Sequence, residues 1–347
     1  MPQFLEQILL PGLVFVCALI LSLVMTRVVL RLALRFGWTT KANERSSHVG
    51  QLAFGGGAAV IGVSLVVWGV LAPPVSGVQG VVLGGAIVLA AVSWLDDLNN
   101  LPSGLRMLFH VGVVAISLMF LPGEANILPL GLPLFADRLL AGFFWIWFIN
   151  LYNFMDGIDG LASVETIFVS LGIAGVAMLG SVVTGAGGAL GGEWVLLALA
   201  IGGAALGFLP WNWHRASIML GDLGAVPLGY LLGFLLIMLA LEGYWVAALI
   251  LPAYFIADAT ITIVGRLFRG EKFWRPHRTH FYQRASRPCE GHDTVVIAVG
   301  FANVVLVGGA LLSVSQPLSG AILALIVVGI LLSLLSKMAK GIARADQ

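Results

Sequence analysis

Charged residues are scarce in this sequence. Only 10% of the 347 residues are Asp, Glu, Lys or Arg, whereas 59% are hydrophobic, and the mean hydropathy is +1.02. Soluble domains carry about 25% charged residues, so the composition excludes a soluble globular protein and predicts an integral membrane protein. The net charge of +1 does not bear on nucleic acid, because the distribution of charge matters more than its sum, and no nucleic-acid partner is predicted.

Cysteine is also scarce, and two other features are missing. Cys17 lies in the first apolar run and Cys289 in a polar loop, so no disulfide framework is predicted. No internal repeat is evident, which gives no support to an inverted-repeat transporter. The first apolar run has its arginines after it and lacks a small-residue cleavage site, so we expect an uncleaved first span rather than a signal peptide.

Apolar runs separated by charged or Gly/Pro-rich breaks predict an all-α polytopic membrane protein with about 11 transmembrane helices. The whole chain, residues 1–347, is predicted to form a single membrane domain. The fifth span is short, which suits a helix that ends inside a cavity. The predicted spans lie near residues 5–28, 52–72, 76–95, 105–121, 137–152, 161–181, 193–211, 223–241, 244–265, 294–314 and 318–336.

The basic residues predict the orientation of these spans. If alternate loops are cytoplasmic, every one of the 18 Lys and Arg residues except Arg138 lies on the cytoplasmic side, as the positive-inside rule requires. The N-terminus is then outside and the C-terminus cytoplasmic. Five polar loops face the cytoplasm and are predicted to form an active site: residues 29–51, 96–104, 153–160, 212–222 and 266–293.

Residues 153–160 read Asn-Phe-Met-Asp-Gly-Ile-Asp-Gly and directly follow an apolar, aromatic run. They place Asp156 and Asp159 three residues apart, with Asn153 three residues before the first. Carboxylates next to lipid are costly, so such a cluster favours a functional site over a simple exit of the helix from the membrane.

Acidic residues in two other loops suit a ligand as well. Asp96 and Asp97 are adjacent and repel each other, so at least one needs a metal, another cation or a raised pKa, unless both mark a solvated helix end. Asp222 lies between Gly221 and Gly224 before an apolar run, and this pattern fits a ligand-facing acid or an N-cap.

The last cytoplasmic loop carries alternating histidine and arginine, with His277, Arg278 and His280 followed by Arg284. This pattern favours binding of a polyanion, with a zinc site or contact with anionic lipid as alternatives. Asp258 lies deeper in the preceding span and is interpreted as a structural support for the site. Glycines 55–57 indicate either close approach of a ligand or helix packing.

Taken in chain order, these motifs resemble the polyprenyl-phosphate N-acetylhexosamine-1-phosphate transferases, glycosyltransferase family 4. The matching residues are Asp96-Asp97, Asn-Phe-Met-Asp-Gly-Ile-Asp-Gly-Leu-Ala at 153–162, Asn212 with Gly221-Asp222-x-Gly224, and His277-Arg278-x-His280. Arg-Gly-Glu at 269–271, followed by Pro-His-Arg-Thr-His-Phe-Tyr-Gln-Arg, is most similar to the O-antigen-initiating branch. Departures include Met219 in place of an aromatic residue and Ala225 in place of serine.

The resemblance implies a function. Such an enzyme transfers an N-acetylhexosamine 1-phosphate from a UDP-sugar to undecaprenyl phosphate and releases UMP, initiating O-antigen, lipopolysaccharide or related cell-envelope glycan synthesis. It lies in the bacterial inner (cytoplasmic) membrane, in contact with membrane lipid, with its active site on the cytoplasmic face. The family also suggests a homodimer. The sugar stays open between N-acetylglucosamine and 6-deoxy N-acetylhexosamines, and the rival functions are a transporter or scramblase of polyprenyl lipids and a non-catalytic scaffold.

By the same resemblance, Asp222 and Asn153 are the protein ligands of Mg²⁺, with Mn²⁺ as an alternative ion. Asp156 is expected beside the phosphates or the metal. His277, Arg278 and His280 are expected to hold phosphate oxygens.

The remaining roles concern the uracil and the acceptor. Asp159 and Asn212 are expected to bind the uracil edge. Asp96 and Asp97 are the candidates for engaging the acceptor phosphate, one of them as a base. Substrate binding is also expected of Arg45, His48 and Arg284.

Overall fold

The computed structural model describes residues 2–41, 51–71, 77–121, 123, 125–184, 192–271, 277–286 and 291–345. These residues are mainly helical, with a small two-stranded sheet. In chain order the elements are α1 Pro2–Phe36, β1 Thr39–Lys41, β2 Gln51–Ala53, α2 Gly57–Leu71, α3 Gly77–Asn99, α4 Ser103–Met119, α5 Leu134–Phe154, α6 Leu161–Thr184, α7 Gly192–Asn212, α8 Asp222–Leu241, α9 Trp245–Ile250, α10 Ala253–Phe268, α11 Phe281–Arg284, α12 His292–Ser313 and α13 Pro317–Ala345.

The helices confirm an all-α, multi-pass membrane protein. Within the described residues, eight helices are long and apolar enough to cross a membrane, and α2 and α4 are shorter apolar helices. Each predicted span corresponds to one helix except 244–265, which is divided into α9 and α10 at Leu251 and Pro252, since proline removes a backbone donor and crowds the preceding turn. The number of spans and the direction of the termini stay predictions.

The expectation of a short fifth span is wrong, because α5 has 21 residues. It begins directly after Pro133, has Asp137 in its first turn and ends at Phe154, so it extends beyond the predicted 137–152 at both ends. Asp137 is tolerated there because its carboxylate accepts hydrogen bonds from the backbone N–H groups of Ile127 at 2.8 Å and Leu128 at 2.9 Å. A buried acid that is fully hydrogen-bonded can lie inside an apolar helix.

Helix α8 lies at the centre of the bundle. Its sequence is apolar on all sides, the pattern of a fully buried helix, and 94% of its apolar stretch is buried. Glycines allow its neighbours to approach closely: a Cβ on Gly229 would lie 2.9 Å from the Cα of Ile149 in α5. The Trp145 Nε1 donates to the Tyr230 carbonyl at 3.0 Å across the same interface.

The register of these contacts brings the polar residues to one end of the bundle. Helices α5 and α3 run antiparallel to α8, so the ends of both lie beside its start at Asp222. Helix α2 starts beside α8, and a Cβ on Gly57 would clash with the backbone of Gly224. The glycine run therefore serves helix packing at this position. We call the end that contains the starts of α2 and α8 the polar end.

A short backbone ladder holds the segment that precedes Asp222. Strands β1 and β2 pair antiparallel, with Thr39 opposite Ala53, and Ala53 also forms a parallel bridge with Ile218. The Met219 N–H donates to the Ala53 carbonyl at 2.9 Å, and the Gly57 N–H donates to the Leu220 carbonyl at 3.0 Å. These bonds satisfy buried backbone groups and fix the loop in front of α8.

Candidate active site

Three carboxylates lie around the start of α8. Asp222 is its first residue, and the Gly221 N–H donates to Asp156 Oδ2 at 3.1 Å. A Cβ on Gly221 would lie 3.9 Å from Asp97 Oδ2, so Asp97 also faces this segment. Burial, and next the negative charge of Asp222, raise the pKa of Asp156 well above its usual range. In this poorly solvated place Asp156 therefore favours its protonated form unless a cation binds beside it.

The adjacent acids Asp96 and Asp97 have different surroundings. Asp96 accepts hydrogen bonds from the Leu101 N–H at 2.7 Å and from Arg106 at 2.6 Å, so it fixes the turn between α3 and α4. Asp97 Oδ2 is buried and has no hydrogen-bond partner in the part of the chain that the structure describes. Buried polar atoms are rarely left in this state without a ligand or another reason, so Asp97 is the acid available to a substrate or ion.

Arg106 is a cation that contacts this cluster. Its Nη1 lies 2.6 Å from Asp96 Oδ2 and 3.5 Å from Asp222 Oδ2, so the guanidinium links α3 to the start of α8. In the sequence analysis Arg106 served only to orient the spans. Its position ten residues after Asp96, just beyond the loop 96–104, was the available signal.

The donor set fits a magnesium ion. Mg²⁺ takes oxygen ligands, usually one or two carboxylates, and completes its shell with water and substrate phosphates. Asp97 presents a buried oxygen that no other described residue bonds, and Asp222 and Asp156 lie beside it. Asn153 is half-buried in the last turn of α5, next to the start of α8. The assignment of Asp222 and Asn153 as the ligands stays a prediction.

Asp258 anchors residues 277–284, which we call the His/Arg segment. It is fully buried in α10 and accepts hydrogen bonds from the backbone N–H groups of Phe281 at 3.0 Å and Tyr282 at 3.1 Å. The imidazole Nδ1 of His280 lies 3.2 Å from its Oδ1. Asp258 thus supports the site from behind, as interpreted from the sequence, and this deep acid is engaged by a loop rather than lining a pathway.

The same segment is docked against the acidic turn after α5. The Tyr282 hydroxyl donates to the Phe154 carbonyl at 2.8 Å, and a Cβ on Gly157 would clash with that hydroxyl. His280 is buried and stacks on the His277 ring at 5.0 Å between centroids.

The two arginines of this segment are on its outer side. Arg278 is exposed, and Arg284 is exposed with its guanidinium 4.8 Å over the Phe281 ring. Two cations beside a cluster of carboxylates suit a polyanionic substrate.

Asn212 and Asp159 are buried and bonded within the protein. The Asn212 Oδ1 accepts hydrogen bonds from the Gly160 N–H and the Ser163 hydroxyl, both at 3.0 Å, while its Nδ2 donates to the Ile218 carbonyl at 3.1 Å. An amide has two donors and about two acceptor sites, so at most one N–H of Asn212 is left for uracil. The geometry makes Asn212 a link between two loops of the site.

Several predicted residues are brought together, and others are not described. Asp97, Asp156 and Asp222 meet at the start of α8, and the 277–284 segment packs against the adjoining turn. Arg45 and His48 lie outside the described residues. The residues that sequence reasoning missed are Arg106, His214, His292 and Glu165.

Glu165 is a second deep acid. It is fully buried in α6, and the Asn303 amide of α12 donates to its Oε2 at 2.7 Å. In the sequence, the only sign of this contact is that Glu165 and Asn303 each lie within an apolar stretch. Whether the two residues meet depends on which helices are neighbours.

The fold and site define a class before any comparison: a multi-pass helical membrane protein with an acidic, cation-suited cluster at one end of its bundle. The family model described as Glycosyl transferase family 4 matches residues 80–240, which include the acids of α3, the turn after α5 and the start of α8.

Known relatives agree with this match. The chain is 27% identical over 291 residues (78% of this chain, 75% of the relative) to a probable undecaprenyl-phosphate N-acetylglucosaminyl 1-phosphate transferase of Bacillus subtilis. It is 28% identical over 312 residues (77% and 73%) to a decaprenyl-phosphate N-acetylglucosaminephosphotransferase of Mycolicibacterium smegmatis. It is 31% identical over 289 residues (70% and 76%) to a phospho-N-acetylmuramoyl-pentapeptide-transferase of Psychrobacter cryohalolentis.

The chain therefore belongs to the polyprenyl-phosphate hexosamine-1-phosphate transferases of glycosyltransferase family 4. The family resemblance inferred from the motifs is confirmed.

Proposed function

We propose that this protein transfers an N-acetylhexosamine 1-phosphate from a UDP-sugar to undecaprenyl phosphate and releases UMP. The reaction initiates O-antigen or a related cell-envelope glycan, on the cytoplasmic face of the bacterial inner membrane. The observation that carries the proposal is the meeting of Asp97, Asp156 and Asp222 at one end of an apolar bundle, with the basic 277–284 segment beside them.

The charges of the substrates explain the composition of the site. A diphosphate donor and a phosphate acceptor are both anionic, and so are the carboxylates around Asp222, so substrate binding needs added positive charge. When bound, Mg²⁺ held by Asp222 and Asn153 would supply that charge and offset the repulsion between the phosphates. Arg278, exposed beside the site, can pair with phosphate oxygens.

Direct in-line displacement is the mechanism we favour. An oxygen of the acceptor phosphate forms a bond to the β-phosphorus of the UDP-sugar, while the bond from that phosphorus to the bridging oxygen breaks and UMP leaves. A monoalkyl phosphate loses its second proton near pH 6, so the acceptor is already a nucleophile at neutral pH. Asp97 then acts in positioning the acceptor, more than in removing a proton.

The His/Arg segment completes the phosphate site. Asp258 holds His280 and the backbone of residues 281–282, so the segment is ordered before substrate binds. Catalysis of phosphoryl transfer depends mainly on positioning and electrostatic stabilisation. The apolar polyprenyl tail is expected to lie along the lipid-facing helices while its phosphate reaches the polar end.

The motifs of the last cytoplasmic loop bear on which sugar the UDP-sugar donor carries. The relatives are named for N-acetylglucosamine and for N-acetylmuramoyl-pentapeptide. The Arg-Gly-Glu motif at 269–271 and the Pro-His-Arg-Thr-His-Phe-Tyr-Gln-Arg stretch favour the O-antigen branch, and hence UDP-N-acetylglucosamine or a UDP-linked 6-deoxy N-acetylhexosamine as the donor.

The test is UMP release by the full chain reconstituted in nanodiscs. A panel of UDP-N-acetylhexosamines is offered with and without undecaprenyl phosphate, in Mg²⁺, Mn²⁺ or EDTA. We expect UMP only when acceptor and divalent ion are both present, and a polyprenyl diphosphate sugar as the second product. Glu193→Gln, an acid-to-amide change at the opposite end of the bundle, is the control and should be fully active. Movement of a labelled sugar-lipid across the bilayer without UMP release would instead support the scramblase.

A further inference from the structure

Two histidines and one aspartate form a compact cluster next to the acidic site. Asp159 Oδ2 lies 2.9 Å from His214 Nδ1 and 3.3 Å from His292 Nδ1. One possible ligand atom from each residue lies within 4.8 Å of the other two. The three residues come from the turn before α6, the loop after α7 and the first residue of α12, so the cluster exists only in the folded chain.

The cluster is buried. The side-chain exposure of His292 is 0%, of Asp159 2% and of His214 15%. Burying three polar side chains from three segments costs free energy unless their polar atoms are hydrogen-bonded or coordinate a cation. The partly exposed edge is that of His214, which leaves one side of the cluster open.

The hydrogen-bonding capacity of Asp159 Oδ2 is filled without His292. His214 Nδ1 lies at hydrogen-bond distance from Oδ2, and the backbone N–H of Ala216 donates to the same oxygen at 3.3 Å. One carboxylate oxygen offers about two lone-pair directions, so none is well placed for the nearby His292 Nδ1. If one imidazole Nδ1 carries no proton, its lone pair faces that of the carboxylate, and a cation between the two atoms removes the repulsion.

We propose that Asp159, His214 and His292 bind a divalent transition-metal ion of the zinc class, at a site separate from the magnesium site. Two imidazoles and one carboxylate are a donor set that zinc uses, with bonds of about 2.0–2.2 Å. The ligand atoms of a tetrahedron with such bonds are about 3.3 Å apart, close to the two separations at Oδ2. The proposal goes beyond the transfer reaction.

The ligand atoms of the two sites favour different ions, zinc at one and Mg²⁺ at the other. Nitrogen ligands favour zinc and other late transition metals, whereas an all-oxygen set favours Mg²⁺. The ligands predicted for Mg²⁺, Asp222 and Asn153, offer oxygen atoms. The Ala216 N–H would remain bonded to the ligating carboxylate, as outer hydrogen bonds commonly orient metal ligands.

The location gives the ion a role in holding the site together. The cluster ties the turn that carries Asp156 to the loop that leads to Asp222 and to α12. The zinc alternative raised by the sequence concerned His277 and His280, but among the described residues these belong to no three-ligand group. The ligands are instead two histidines that are 78 positions apart in the chain and meet only through folding.

The test measures metal directly. The full chain is purified in nanodiscs without chelator, in millimolar Mg²⁺, and its zinc content is determined by mass spectrometry. Binding of Co²⁺ is followed by visible absorption, since four-coordinate Co²⁺ absorbs strongly. We expect about one zinc per chain, unaffected by excess Mg²⁺, and a visible band when the zinc is removed with a chelator and Co²⁺ is added in its place.

His214→Gln should weaken Co²⁺ binding about a hundredfold or more, and it is preferred because His214 is the least buried ligand. If His214→Gln misfolds, Co²⁺ binding is measured in Asp159→Asn instead, and the same loss is expected. His110→Gln, at another buried histidine in α4, is the control and should bind as the wild type. No stoichiometric zinc or cobalt in the wild type, or unchanged binding in His214→Gln, would overturn the proposal. UMP release is measured separately, so loss of transfer and loss of metal are distinguishable.

Discussion

Two carboxylates at the polar end, Asp258 and Asp97, are used in opposite ways. Asp258 receives hydrogen bonds from Tyr254, Thr262, His280 and the N–H groups of Phe281 and Tyr282. Asp97 has a buried oxygen with no partner in the described part of the chain. An acid whose oxygens are all occupied builds structure, whereas an acid left unsatisfied in the folded protein is available to a ligand.

The largest expected effect is at Asp222, the acid that begins the central helix. Asp222→Asn should lower UMP release about a thousandfold, because the amide cannot replace the charge needed opposite a divalent ion and two phosphates. Thermal unfolding in metal-free buffer should be little changed. Activity within tenfold of wild type would mean that the metal is held elsewhere. Glu193→Gln serves again as the matched control.

Asp97→Asn should lower turnover about a hundredfold with little change in the unfolding temperature, since the amide keeps the size of the side chain and adds no charge beside Asp222 and Asp96. Asp96→Asn is the matched neighbour. It should unfold at a lower temperature, because its carboxylate bonds Leu101 and Arg106. Equal changes in stability and turnover for the two variants would contradict the distinction between these adjacent acids.

Asp258→Asn should show the reverse pattern to Asp97→Asn. An amide turns one acceptor into a donor facing several N–H and O–H groups, which should lower the free energy of unfolding by about 2–4 kcal/mol. Turnover should fall only about tenfold, through disorder of the His280 segment. Measurement of thermal unfolding and of UMP release on the same sample checks both. A larger loss of turnover than in Asp97→Asn would reverse the ranking of the two acids.

The smallest expected effect concerns pH. Because the pKa of Asp156 is raised, the folded, metal-free protein binds a proton there more tightly than the unfolded chain, so this group favours folding at low pH and less so as pH rises. A Mg²⁺ ion bound beside Asp156 would have to displace that proton, so its apparent affinity should fall by up to about tenfold for each pH unit lowered. Mg²⁺ titrations of UMP release between acidic and neutral pH measure this. Asp156→Asn should flatten the dependence, and an unchanged slope would exclude Asp156 as its source.

The parts of this molecule that were predictable from sequence are those encoded locally. Apolar runs indicated the helices, and the clustered acids and glycines indicated the site. The division at Leu251 and Pro252 was not predicted, since proline also occurs inside other helices here, such as Pro227 in α8.

Contacts between distant segments were beyond sequence reasoning. Adjacent residues on a helix point about 100° apart, so which of Asp96 and Asp97 faces the site depends on how α3 packs against α8. His214 and His292 meet Asp159 only because α12 begins beside the loop after α7. No local pattern carries that information.

The double contact of Arg106 has a consequence for each catalytic cycle. With its guanidinium between Asp96 and Asp222, the pocket contains a tethered counter-ion of its own. A divalent ion that bound there would exchange one positive charge for another, and the acids would keep a counter-ion after it left. Such an exchange would lower the electrostatic barrier to resetting the pocket after each product departs.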